Sequence, residues 1–400
     1  MTLIFAGTSF IFGLDDIARA CRNRGWNAVF VEAPFIQRYG FMNDASDGQQ
    51  PSADVVYSDD WDALQEHAAP DAVLIPLSEY WISRCTDAGI PFAVGPGPDA
   101  LRASRSKTFL YETLSAAGIP VPATYTDLQA ARSAIAAGSR IVVKPDGLFS
   151  GYGVEIVGPE NAGDLELHAL KAAGLKNNAT KLFQVESTDV LLSEHIAGIE
   201  YSADCWICGG KVTVVRVCRK HLAVINDKPC TIAVEYIPVP DAHRDPLAAW
   251  CHTLFGADDM SFAQFDYIDR GSDLVPIDFA CRVGGGMKTL LSTAGCCYAA
   301  AIAKEPLVPV DAGGAHPILV NFLTTTSGYL TTDAATLPAA AAYTTTGKLT
   351  VYKHPGDYVT SNPSSAASRL ADLVTWTADA PAPETLGAFV LGAEHVRRGK

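Results

Sequence analysis

The chain has no apolar run of the roughly 18 residues that a membrane-spanning helix requires, so no membrane partner is expected. It has no surplus of positive charge either: 44 acidic residues stand against 30 basic ones, for a net charge of −14. Nucleic-acid binding needs a basic footprint and is not expected. Ten cysteines occur without a framework spacing, which argues against a secreted, disulfide-stapled domain and for a reducing cytoplasm. Cys205 and Cys208 form the pattern C-x-x-C inside a strand-like stretch ending at Gly209-Gly210. With no second Cys/His pair at finger-like spacing they read as structural, and Cys296-Cys297 as core thiols. Gly7 and Gly13 do not complete G-x-G-x-x-G, so dinucleotide binding has little support. The apolar start Leu3-Ile4-Phe5-Ala6 has no basic residue before it and meets Asp15-Asp16 soon after. It reads as a first strand, not a signal segment. No repeat of solenoid type is present.

What is present is a folded chain of 400 residues, 48% apolar, long enough for two or three domains. Strands are expected at 3–6, 28–32, 72–76 and 92–94, with helices over 14–24 and 78–88 closed by Gly25 and Gly89. Apolar runs bounded by Gly and Pro and alternating with helical periods indicate a small parallel sheet. Gly95-Pro96-Gly97-Pro98 marks a boundary. A helix follows over 104–117, then mixed elements to Val190 and mostly strand from Leu191 to Val217. A helix over 246–255 and strands at 261–269 and 274–280 come next. Beyond Pro317 the sequence is rich in Thr and Ala. Strands are expected at 348–353 and 358–359 and a helix over 364–374, together a small terminal subdomain.

Four segments carry chemistry. Ser106-Lys107 stands on the helix after the boundary, ahead of Gly118-Ile119-Pro120-Val121-Pro122. Lys144 ends a strand and leads into Asp146-Gly147-Leu148-Phe149-Ser150-Gly151-Tyr152-Gly153. A lysine is a point charge for phosphate oxygens, and glycines let backbone N–H groups come close to them. A plain hairpin turn would look the same. The third segment runs from Leu191 to Ser202 and holds Glu194, His195, Ile196 and Glu200 around a bend at Gly198. Backbone groups in such a bend can bind an adenine edge, and a carboxylate can hold ribose hydroxyls; a β-turn with surface glutamates is the alternative. The fourth is Asp266 and Asp278 on two strands joined at Gly271, with Arg282 and Gly284-Gly285-Gly286 directly after. Paired carboxylates make a hard oxygen site for Mg²⁺ beside nucleotide phosphates, and an arginine fork suits a phosphate or acyl phosphate.

In their order and spacing these segments resemble the ATP-grasp carboxylate–amine ligases over most of the chain. The resemblance implies an α/β (α+β) fold. A parallel N-terminal domain (1–97) would precede a two-lobed ATP-grasp core (98–310) and a C-terminal subdomain completing the catalytic lobe (311–400). It implies ATP and Mg²⁺ as cofactors. Lys107, Lys144, Gly147, Ser150, Gly151 and Gly153 would meet the phosphates, Glu194, His195 and Ile196 the adenine, and Glu200 the ribose. Asp266 and Asp278 would hold the metal, and Arg282 with Lys144 would be catalytic. The implied reaction forms an amide or peptide bond through an acyl phosphate, releasing ADP and phosphate, with an amino acid as substrate and a homodimer as the assembly. Glu79, Arg216, Arg219, His221, Lys228, Gly284 and Gly285 are the substrate candidates: Arg216, Arg219, His221 and Lys228 belong to a basic cluster with Lys220, and Glu79 lies just after the strand 73–76 at the expected C-terminal edge of the first sheet. A solvated basic strand is the bland alternative for that cluster. The chain departs from the family's Glu-x-Asn-x-Arg with Asp278-Phe279-Ala280-Cys281-Arg282. Ser193 also replaces a Glu often found beside the hinge, and Leu148-Phe149 and Tyr152 enlarge the loop. The alternative is a degenerate relative that binds nucleotide without turnover.

Overall fold

Every side chain of β1 (Thr2–Ala6) is buried, as a central parallel strand requires. A computed structural model of the protein describes residues 1–7, 14–33, 55–57, 72–148, 153–174, 189–226, 228–284, 303, 316–337, 347–361, 369–377 and 386–397. β1 pairs in parallel with β2 (Asn27–Glu32) and β4 (Val73–Pro76), and β2 with β3 (Val55–Tyr57). Alternation along β1 divides its contacts. Leu3 and Phe5 join Ile17 of α1 (Leu14–Arg22), together with Trp206 and Phe262 from a second, larger sheet. Ile4 and Ala6 meet Tyr80 and Trp81 of α2 (Glu79–Asp87).

The expected strand at 92–94 is absent; Gly95 makes an isolated bridge to Met260 instead. The helix expected over 104–117 is two helices, α3 (Pro98–Arg105) and α4 (Lys107–Ala116). Ser106 breaks them apart because it is extended and caps α4, its hydroxyl accepting from Phe109 N at 3.2 Å.

A four-stranded antiparallel sheet follows in the order β5 (Thr124–Tyr125), β8 (Val190–Glu194), β6 (Ile141–Pro145), β7 (Glu155–Val157). Ile141 and Val143 of β6 pack against Ile135 of α5 (Leu128–Ala136) and Leu165 of α6 (Leu165–Gly174). By alternation Lys144 leaves on the opposite face.

The largest sheet comprises β9 (Ile199–Cys208), β10 (Lys211–Ile225), β11 (Lys228–Ile237), β12 (Met260–Asp269), β13 (Leu274–Ala280), β14 (His316–Thr324), β16 (Lys348–Val351) and β18 (Ala371–Thr377). These eight run antiparallel in the order β13-β12-β9-β10-β11-β14-β18-β16, and Val390–Leu391 adds a ninth strand parallel to β14. β18 corrects the helix expected over 364–374 from Ala371 onward, 364–368 lying outside the described residues: Ala371 and Leu373 are fully buried while the strand pairs with β14 on one side and β16 on the other. Two neighbours distant in sequence overrule the local helical period. α7 (Asp241–Leu254) covers one face and starts before Pro246, where the helix was expected to begin. Among the described residues no helix is long and apolar enough to cross a membrane.

Trp250 of α7 is 2% exposed and lies against the rings of Phe265 and Tyr267, at centroid distances of 5.3 and 5.6 Å. Trp250→Ala should cost about 3–5 kcal/mol of stability, read as a lowered urea midpoint, because the rigid sheet behind it cannot collapse into the cavity.

Candidate functional site

The face of the large sheet opposite α7 changes character along β9 and β12. Trp206 and Phe262 continue the apolar contact with the parallel sheet. Further along the same face β9 presents Asp204, Ser202 and Glu200, and β12 presents Gln264 and Asp266. On β10, Arg216 and Cys218 stand opposite Asp204 and Ser202, and Lys220 follows them on the same face. On β13, Asp278 stands directly opposite Asp266, and Ala280 opposite Gln264.

The charges on this face are paired. Lys220 Nζ lies 2.6 Å from Glu200 Oε1 and 2.7 Å from Asp266 Oδ2, while Gln264 Nε2 donates to Asp266 Oδ1 at 2.6 Å. Burial alone would lower the Lys220 pKa, but the two carboxylates outweigh it and raise it. Asp278 Oδ1 lies 2.9 Å from Lys107 Nζ and accepts from Phe279 N at 2.9 Å.

Lys107 is the first residue of α4 and belongs, with Leu110, Tyr111 and Leu114, to that helix's buried stripe. Its ammonium also donates to the Leu148 carbonyl at 2.5 Å, and its backbone N–H to Asp146 Oδ1 at 2.5 Å. Asp146 further accepts from Thr108 N at 3.2 Å and Ser106 Oγ at 2.8 Å. A carboxylate thus closes the positive end of α4.

Lys144 Nζ donates to Tyr111 OH at 2.8 Å and to the Ile277 carbonyl at 3.2 Å, and Tyr111 OH donates to that same carbonyl at 2.9 Å. Burial lowers the Lys144 pKa to about 8, against the opposing pull of Asp278, Asp146 and Glu200. Burial raises that of Tyr111.

Beyond the lysines, Arg282 Nε donates to Glu79 Oε2 at 3.0 Å, tying the segment after β13 to the first turn of α2. Asp204 and Arg216, both fully buried, form an ion pair. Burial raises the Asp204 pKa, with Arg216 opposing. Gly284 N donates to Asp204 Oδ1 at 2.6 Å. A Cβ on Gly284 would lie 2.7 Å from Gln264 Cγ, so only glycine fits there without displacement.

The structure therefore brings together Lys107, Lys144, Glu200, Asp266 and Asp278, with Arg282, Glu79, Arg216 and Gly284 beside them. It separates Arg219 and His221 from this group. They share the other sheet face with Val217, where His221 Nε2 lies 2.8 Å from Glu235 Oε2 and Arg219 lies near Tyr201. Alternation splits a cluster that is contiguous only in sequence. Lys228 is placed by its backbone alone, opposite Ile225. Ser150, Gly151 and Gly285 lie outside the described residues. Gly147 and Gly153 have left-handed φ values of +86° and +71°. The N–H groups of Glu194 and His195 donate to Ala123 O at 2.8 Å and Arg140 O at 2.9 Å, leaving their carbonyls as candidate ligand groups there. The Ile196 side chain is buried with Ile268 and Val275.

Sequence reasoning passed over Asp146, Tyr111, Gln264 and the bridging position of Lys220. The first two had signals: Asp146 is two residues beyond Lys144, and Tyr111 follows Lys107 by one helical turn. Among the described residues no three His, Cys, Asp or Glu side chains group as a metal cage. One ion held by a carboxylate and phosphate oxygens does fit, because Asp278 Oδ2 has no partner among the described residues.

No protein-family model matches the sequence, and no curated protein matches it. Solved structures share its fold. An L-amino acid ligase from Bacillus licheniformis superposes at TM-score 0.63 with 13% identity, over 94% of this chain and 93% of that one. The biotin carboxylase domain dimer of Hydrogenobacter thermophilus 2-oxoglutarate carboxylase, solved with MgADP and bicarbonate, gives 0.61 and 15%, over 94% and 86%. A carboxyaminoimidazole ribonucleotide synthase from Aspergillus clavatus, complexed with ATP, gives 0.61 and 12%, over 94% of both chains. The superpositions establish a shared fold, the ATP-grasp fold.

The Lys144 environment is directly measurable. With lysines ¹³C-labelled at Cε, one resonance should titrate near pH 8, and Lys144→Arg should remove it; a midpoint of 10 or above would contradict the burial. Because the folded-state pKa lies below the unfolded value, this group's destabilisation is full below pH 8. It is relieved as pH rises from about 8 to 10.5.

Proposed function

We propose that the chain is an ATP-dependent carboxylate–amine ligase that forms an amide or peptide bond through an acyl phosphate and releases ADP and phosphate. One observation carries this reading. Two nearly buried lysines from separate elements, Lys107 and Lys144, converge beside two opposed aspartates on one sheet face, next to a glycine-rich loop. Such a layout neutralises a polyphosphate, which suits phosphoryl transfer.

In this reading Lys107 and Lys144 hold phosphate oxygens, and the loop carrying Gly147, Ser150, Gly151 and Gly153 covers them. The backbone of Glu194, His195 and Ile196 receives the adenine, and Glu200 the ribose. Asp278 would hold Mg²⁺, with Asp266 beside it, and the ion would neutralise phosphate charge. The γ-phosphoryl group passes to a carboxylate, and an amine then attacks the acyl carbon and displaces phosphate. Arg282, oriented by Glu79, stabilises the charge that develops there. Arg216, fully buried, acts through Asp204, whose carboxylate holds the Gly284 N–H two residues beyond Arg282. Closure of the loop keeps water from the acyl phosphate.

We assign residues 1–97 to the pre-ATP-grasp domain, 98–310 to the nucleotide and catalytic core, and 311–400 to the segment completing the catalytic lobe. The fold shared with an L-amino acid ligase favours an amino acid substrate, and the dimeric carboxylase domain favours a homodimer. Ten cysteines without a framework spacing suit the cytoplasm. Ala280 favours a second reading, nucleotide binding without turnover.

Phosphate release with ATP, Mg²⁺ and paired amino acids decides between the two. Turnover requiring both a carboxylate and an amine is expected, with a condensed product by mass spectrometry; AMP and pyrophosphate as products would contradict the acyl phosphate. Lys144→Ala should abolish turnover in a folded protein. Arg282→Ala should lower kcat by about 10²–10³ with little change in KM, as for loss of one transition-state donor.

A further inference from the structure

We propose that Lys220 is a built-in cation that engages the Asp266 carboxylate a second divalent ion would need, so that the chain carries a single metal ion with its nucleotide. This rests on the nucleotide reading above. Three observations lead to it. First, the Lys220 ammonium bridges Glu200 Oε1 and Asp266 Oδ2 at 2.6 and 2.7 Å, with the side chains only 14%, 18% and 22% exposed. Second, the remaining oxygen of Asp266 accepts from Gln264 Nε2 at 2.6 Å, so both oxygens are already engaged. Third, Ala280 lies two residues beyond Asp278 and directly opposite Gln264. Its methyl group supplies no oxygen at the one further position on β13 that could reach an ion beside Asp266.

The donor set for a second ion is therefore incomplete, and a positive charge is already seated among the carboxylates that would form it. A dication approaching Asp266 would have to displace an ammonium from two charge-assisted hydrogen bonds and then stand beside it. Asp278 differs. Its Oδ1 meets Lys107, but Oδ2 is free among the described residues, leaving one oxygen for one ion shared with phosphates. Lys220 is thus a positioning residue: it holds Glu200 and Asp266 in place and sets the metal count. Ala280 supplies no oxygen, and the positive charge that a second ion would bring comes instead from Lys220 on β10.

The test is the stoichiometry of Mn²⁺ bound by the full chain with a non-hydrolysable imido analogue of ATP, by equilibrium dialysis and electron paramagnetic resonance. The wild-type chain should bind one Mn²⁺ per bound nucleotide, and Lys220→Arg should also bind one. The double variant Lys220→Met, Ala280→Asn, shown to be folded by its thermal transition, should bind two. Two ions in the wild-type chain, or one in the folded double variant, would overturn the role of Lys220 while leaving the nucleotide reading intact. A chain that binds no nucleotide at all would overturn both.

Discussion

Buried ammonium groups need acceptors, and here the acceptors belong to other elements. Lys107 joins the start of α4 to Asp278 on β13, and Lys144 joins β6 to the backbone of β13 through Tyr111 and Ile277. The small antiparallel sheet and the large one are thereby fixed against each other by the same side chains that face the cleft. Removing one partner would leave an uncompensated charge, which costs far more than the pair contributes. The spacing of the two sheets follows from that constraint.

The apolar arrangement serves the polar one. Trp206 and Phe262 seat the parallel sheet on one end of the large sheet, which brings Glu79 at the start of α2 within reach of Arg282. Asp204 and Arg216 lie between that apolar patch and the lysines, fully buried. A pair so placed adds little net stability over apolar packing. What it does is hold Gly284 by its backbone N–H, which fixes the chain where it leaves β13.

Much of this was legible in the sequence because the signals are local. Strands bounded by Gly and Pro, the lysine before the glycine loop, and the aspartates flanking a hairpin are each read within a short stretch of sequence. The failures are non-local. Residues 371–377 form a strand because β14 and β16 hold them, and nothing in their own period says so. Arg219 and His221 look like neighbours of Arg216 and Lys220 until strand alternation sends them to the other face. Ser106 looks like the interior of one helix until the Asp146 carboxylate, 40 residues away, accepts its hydroxyl and marks a new start.

The depressed basicity of Lys144 has a consequence for what accompanies the ligand into the cleft. Without nucleotide, burial holds the amine near its midpoint at about pH 8, so above that pH much of it is uncharged. Phosphate oxygens beside it favour the ammonium. On the proposed chemistry nucleotide therefore enters an alkaline cleft together with a proton, and the site gains its charge as it gains its ligand.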